Sequence, residues 1–120
     1  MGLQELTVER YEGVAEDQRI LLLSGPITIE TAPHFERAVG HESAETMILD
    51  LSDVPFIDSV GLGSLVKAHV SHQKMGRYLV LTGLKPRVRK IMEITKLKDV
   101  FVMFGTTWEA VEALANTGTA

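Results

Sequence analysis

An α/β fold of alternating strands and helices is predicted for this chain by three features of its sequence. Short apolar runs of strand length recur along it, at Ile20–Leu23, Met47–Leu51, Tyr78–Leu81 and Val100–Phe104. Between them lie segments whose apolar residues keep helical spacings of three and four, such as Leu62, Leu65, Val66, His69 and Val70. Turn-forming residues punctuate the junctions at Ser24-Gly25-Pro26, Gly76 and Thr82-Gly83. Strands that alternate with helices pack as a sheet of parallel neighbours joined by right-handed crossovers, with helices covering it.

The elements follow in the order β-β-α-β-α-β-α-β-α. Leu6 and Val8 alternate with polar neighbours, so residues 4–11 read as a half-exposed strand. Ile20–Leu23 is a buried strand that stops at the Gly25-Pro26 turn. Phe35, Ala38 and Val39 keep helical spacing after Thr31 and Pro33. A proline fits a helix only in its first turn, where its missing N–H loses no partner, so a helix beginning as early as Thr28 would be interrupted. Met47–Leu51 is the next strand, and the Leu62–Val70 stripe is a helix face turned to the sheet, ended by Gly76. After the Tyr78–Leu81 strand, Pro86 opens a third helix with Val88, Ile91 and Met92 inward. Val100–Phe104 is the last strand. Thr106 and Glu109 have the spacing of a capping box for a final helix carrying Trp108, Val111 and Leu114. Met75, Met92 and Met103 read as core filling.

The chain of 120 residues is near the common size of one domain, and its 45% hydrophobic content suffices for one core. A single domain is expected over residues 1–115, with the small, polar stretch 116–120 as a flexible tail. The lack of cysteine excludes a disulfide framework and a thiolate metal site. Apolar runs too short for a bilayer and a polar first segment predict a cytoplasmic protein with no membrane insertion. The net charge of −4 argues against nucleic acid as a partner. Lys85, Arg87, Arg89, Lys90, Lys96 and Lys98 nevertheless hold half of the 12 basic residues. They read as a solvated helix face, or as a docking patch for an acidic partner or an anion.

The chemistry concentrates where the Met47–Leu51 strand ends and the next helix begins, in Asp50-Leu51-Ser52-Asp53-Val54-Pro55-Phe56-Ile57-Asp58-Ser59-Val60-Gly61-Leu62-Gly63. Asp58 can accept from free N–H groups of the first helical turn, leaving the Ser59 hydroxyl at the mouth of the helix. Gly61 and Gly63 each cost the helix roughly 1 kcal/mol relative to alanine. Close packing against a strand or loop would offset that, and so would room for a partner beside Ser59. The residues expected to meet such a partner are Ile57, Val60, Gly61, Gly63 and Ser64.

This run, Asp58-Ser59-Val60-Gly61-Leu62-Gly63 after a strand ending Leu49-Asp50-Leu51, resembles the STAS family, named for sulfate transporters and anti-sigma factor antagonists. The resemblance covers nearly the whole chain and implies the STAS fold, with a mixed, mostly parallel sheet. It implies an anti-sigma factor antagonist, a non-enzymatic module without cofactor that takes part in transcription regulation. Unmodified, it would bind an anti-sigma factor serine kinase and so release a sigma factor. Phosphorylated on Ser59 by that kinase, it would let go. A phosphatase acting on phospho-Ser59 would be a further partner. Antagonists of this kind often carry Gly-Glu-Leu-Asp after the second strand, whereas this chain has Gly25-Pro26-Ile27-Thr28, so both acidic positions are replaced. That change bears on the choice of partner. The alternative implied use is a constitutive scaffold subunit of a stressosome-like or lipid-transport complex. A first strand at the sheet edge would allow a monomer or a weak homodimer.

Other sites are weaker. A receiver domain needs an acidic pair after the first buried strand, where this chain has Ser24-Gly25-Pro26. Gly61-Leu62-Gly63 lacks the third glycine of a dinucleotide loop, since Val66 stands there, and Ser64 lacks the glycines of a nucleophile elbow. His69 and His72 have a chelating spacing but no third ligand, and His69 belongs to the apolar stripe, so no metal is expected. His34 and His41 are expected on the exposed side of the first helix.

Overall fold

The computed structural model describes residues 5–117. Its elements are β1 (Thr7–Glu12), β2 (Gln18–Ser24), α1 (Ala32–Gly40), β3 (Thr46–Asp53), α2 (Ser59–Lys74), β4 (Tyr78–Thr82), α3 (Pro86–Ile94), a short 3-10 turn (Leu97–Asp99), β5 (Val102–Phe104) and α4 (Thr107–Thr117). This is the predicted order. The sheet runs β1-β2-β3-β4-β5. A short turn joins β1 to β2, so they pair antiparallel, with Val8 opposite Leu23. Every later connection carries a helix and makes a parallel pair.

The strands read as continuous apolar runs because both faces of the sheet are covered. Leu21, Leu23, Met47, Leu49, Leu51, Leu79 and Leu81 meet Phe35 and Val39 of α1, Leu65 and Ala68 of α2, and Val88 and Met92 of α3. The intervening Ile48 and Val80 meet Ala110 and Val111 of α4 on the opposite face, with Ile20, Phe104 and Leu114 beside them. Each fully buried leucine or phenylalanine contributes about 1.5–3 kcal/mol.

Helix ends follow local chemistry. α1 begins after Thr31, so Pro33 falls in the first turn and interrupts nothing. α2 stops at Lys74 and hands over to Gly76, whose φ of +71° is the left-handed conformation a glycine accepts readily. Pro86 opens α3 as expected. The Thr106 hydroxyl accepts from the Glu109 N–H at 3.1 Å and donates to the Glu109 carboxylate, capping α4.

Four expectations are corrected. The buried stripe of α2 is Gly61, Ser64, Leu65, Ala68 and His72, about one position away from the expected face; Leu62, Val66 and His69 lie at its margin and Val70 is exposed. Glycine and serine at 61 and 64 permit the closest approach, and apolar periodicity cannot register them. Met75 is exposed rather than part of the core, because it stands at the C-terminal end of α2. β5 is shorter than expected: the N–H groups of Val100 and Phe101 close onto the Leu97 carbonyl and prolong the preceding turn. α4 runs to Thr117, past the boundary expected at Ala115; the rest of the expected tail, 118–120, lies outside the described residues, as does residue 4 of the expected first strand.

Candidate functional site

The loop after β3 is shaped by backbone bonds before any side chain acts. The Val54 N–H closes a turn onto the Leu51 carbonyl at 3.0 Å. Residues 56–58 then run beside Ile27. The Ile27 N–H donates to the Phe56 carbonyl at 3.2 Å, the Asp58 N–H donates to the Ile27 carbonyl at 3.2 Å, and Ile27 and Ile57 form a parallel bridge. The loop before α1 and the start of α2 thereby become one surface.

Asp58 fixes the junction. Its backbone is extended, at φ −92° and ψ −178°, as an N-cap requires. One carboxylate oxygen accepts from the Gly61 N–H at 2.8 Å, and the other accepts from the Ile29 N–H at 3.0 Å. These bonds, the Gly61 bond foremost, hold the Asp58 carboxyl below the usual range and keep it charged. Ser59 follows as the first residue of α2, with its side chain exposed at the positive end of the helix dipole. Val60 is 42% exposed and Ile29 is 64% exposed, so two apolar side chains, each anchored next to Asp58, are presented with the Ser59 hydroxyl.

The expected contact residues separate into two groups. Ser59, Val60 and Gly63 face solvent, and a side chain at Gly63 would meet open space. Ile57, Gly61 and Ser64 do not, which corrects their expected role as partner contacts. Ile57 is buried in the bridge to Ile27. Gly61 lies against the Ile27 carbonyl so closely that a Cβ would overlap it, so its missing side chain serves packing. Ser64 is buried and donates to the Glu36 carboxylate at 2.6 Å, joining α2 to α1. That bond, with Lys67 adding to it, holds the Glu36 carboxyl below its usual range.

Sequence reasoning missed Ile29, and it did not join Arg87 of the basic patch to Phe56 of the loop. The alternation of Ile27 with Ile29 is visible, but an apolar residue in a loop gives no sign of exposure. The Arg87 guanidinium lies 5.1 Å from the centre of the Phe56 ring, which brings the basic start of α3 to the loop that carries Ser59. Lys85, Arg87, Arg89, Lys90, Lys96 and Lys98 are all exposed, as a solvated basic face requires. In the loop where acidic residues are replaced, threonines supply the order. The Thr28 hydroxyl accepts from the Glu30 N–H, while the Thr31 hydroxyl accepts from the Thr28 N–H and donates to the Pro26 carbonyl.

The weaker sites take structural parts. Asp50 accepts from the Ser52 N–H and hydroxyl and from the Thr107 hydroxyl at 2.8 Å, anchoring α4 on the sheet. His69 packs on Phe101 with ring centroids 5.0 Å apart. His34 and His41 are exposed. Among the described residues no three His, Asp or Glu side chains gather where they could hold a metal ion, and no helix is long and apolar enough to cross a membrane.

Comparison with known proteins adds a family. The STAS domain model matches residues 5–112. The anti-sigma-B factor antagonist of Listeria monocytogenes is 36% identical over 83 residues, which span 67% of this chain and 73% of that protein. The crystal structure of an anti-sigma factor antagonist from Mycobacterium paratuberculosis superposes with a TM-score of 0.78 at 27% identity, covering 90% of this chain and 92% of its own. SpoIIAA of Bacillus, solved unphosphorylated and phosphorylated, shares the fold at 17% identity with TM-scores of 0.66 and 0.67. These matches cover 95% and 90% of this chain, and 100% and 99% of SpoIIAA. With the family model matched from β1 into α4 and the strand and helix order shared with these structures, this chain belongs to the STAS domain family.

Proposed function

We propose that this chain is an anti-sigma factor antagonist whose grip on an anti-sigma factor is switched by phosphorylation of Ser59. The observation that carries the reading is the junction itself: an exposed serine hydroxyl at a helix N-terminus, capped by a charged aspartate and flanked by the exposed Ile29 and Val60. The antagonist names of the relatives support the antagonist part. The phosphorylated form known for SpoIIAA supports the switch.

The switch follows from charge. A phosphoryl group adds about −1.5 to −2 charges at this point. The N-terminal dipole of α2 tolerates it, so the fold survives. A partner that covers Ile29 and Val60 would have to desolvate that dianion beside the Asp58 carboxylate, and binding is lost. The partner is a serine kinase that also serves as the anti-sigma factor, and the chain needs no catalytic groups of its own.

Incubation with the kinase and ATP, followed by mapping of phosphate by mass spectrometry, tests the site. Phosphate on Ser59 is expected; modification elsewhere with Ser59 untouched would overturn the assignment. Ser59→Asp is expected to weaken kinase binding while Ser59→Ala retains it. Equal affinities, measured by calorimetry, would show that charge at this position is not the control.

A further inference from the structure

Charge is unevenly spread over this molecule. Residues 85–98 carry six cations and one anion, a local charge of +5, in a chain whose net charge is −4, so the rest of the chain carries −9. All six cations are exposed, and among the described residues none of them enters an ion pair. Like charges gathered on one short segment repel each other and build a positive potential that the fold itself does not balance.

The segment has an outward stripe. Val88 and Met92 of α3 are buried, so Arg87, Lys90 and Ile94, at helical spacings of three and four, share the side turned to solvent. The stripe starts at the Phe56 ring, 5.1 Å from the Arg87 guanidinium, in the loop that leads to Ser59. It ends at Ile94, which is 66% exposed, with Lys96 and Lys98 in the turn that follows. Lys96 adds an independent observation. It comes directly after Thr95, the C-cap of α3, and its φ of +62° is left-handed. Helices commonly place glycine there, because a Cβ makes that conformation costly. The chain holds a cation where glycine would relieve the strain.

We propose that this stripe docks an acidic protein segment that carries apolar side chains. Carboxylates of the segment meet Arg87, Lys90 and Lys96, and an apolar side chain covers Ile94. Nucleic acid fits poorly, since the negative charge of the rest of the chain repels its phosphates. A bilayer asks for a broad apolar face, whereas the large apolar residue that α3 exposes is Ile94 amid cations. Small anions find no enclosure among side chains spread along an open helix face. The surface does not depend on phosphorylation of Ser59, although a segment held there reaches the loop that leads to it.

The probe is a short peptide of glutamates with leucines at helical spacing, titrated into the uniformly ¹⁵N-labelled full chain and followed by amide chemical shifts. The comparison probes are the same peptide with serine in place of leucine, and vesicles of phosphatidylglycerol. Saturable shifts centred on residues 85–98 are expected, with an affinity that falls severalfold between about 50 and 200 mM salt. Lys90→Gln and Ile94→Ser, both at exposed positions, should each weaken binding by about threefold. Lys96→Gly should weaken it by a similar factor while raising the urea midpoint of unfolding, so the loss cannot come from misfolding. Shifts that do not saturate, undiminished binding by Ile94→Ser and Lys96→Gly, or equal binding of the leucine and serine peptides would each overturn the proposal. Tighter binding to the vesicles than to the peptide would also overturn it, in favour of a lipid surface.

Discussion

A methyl group added at Gly61 would overlap the Ile27 carbonyl oxygen, whereas one added at Gly63 would meet nothing. Two glycines of one helix are therefore expected to respond oppositely to substitution. Gly61→Ala should destabilise the protein by about 1–3 kcal/mol, the cost of forcing α2 off the loop before α1. Gly63→Ala should stabilise it by roughly 0.5–1 kcal/mol, since alanine is the better helix former and the position is open. Urea unfolding of the two variants checks both signs. If a kinase approaches closely over Gly63, the stabilised variant also binds it less well. At this scale the site was legible in part. Asp58 could be recognised as a cap and Ser59 as exposed, because both follow from the end of a helix. That Gly61 and Ser64 face inward could not be read, since small residues carry no hydrophobic signature. The place of Ile29 at the Asp58 carboxylate and that of Arg87 over the Phe56 ring were beyond reach because both are set by contacts across the chain.

Elements were legible where burial and periodicity agree. The five strands and four helices of the described residues could be located, because both sheet faces are covered and the interior strands read as apolar runs. The ends were less legible: β5 contracts because a 3-10 turn captures Val100 and Phe101, a competition between two local bonding patterns. The antiparallel entry of β1 is held partly by charge. Glu42, just beyond α1, receives Arg10 from β1 and Arg19 from β2. Burial works against ionisation of Glu42, but the hydrogen bonds and charges of the two arginines outweigh it and hold its carboxyl below the usual range. With both arginines partly exposed, Glu42→Gln is expected to cost about 1 kcal/mol. Faster amide hydrogen exchange in β1 than in β3 or β4 would accompany that loss; an unchanged β1 would show that the triad does not secure the edge.

For the whole molecule, stability is coupled to pH through Asp58, Glu36 and Glu42. All three are held below ordinary carboxyl values in the folded state, so the unfolded chain binds protons first as the solution is acidified. Their contribution is complete above the unfolded-state value of about 4 and is lost as pH falls through the lower folded values. Tm measured by calorimetry should be flat from neutrality down to about pH 5 and fall below pH 4; a Tm that rises on acidification would contradict this sign. Among the described residues β1 is an edge strand of the sheet, and the Glu9, Arg10 and Glu12 that it carries discourage pairing with another copy. Sedimentation should accordingly find a monomer with at most weak dimerisation. One consequence of the Asp58 geometry concerns time. Phosphate monoesters are among the slowest bonds to hydrolyse without a catalyst. The Asp58 carboxylate beside Ser59 accepts backbone N–H bonds at both oxygens, which hold its pKa down and make it a weak base toward water. A phosphoryl group placed on Ser59 would therefore persist long after the protein that put it there has left. The duration of the signal would be set by whatever enzyme erases it, and the module itself would act as a memory with no clock of its own.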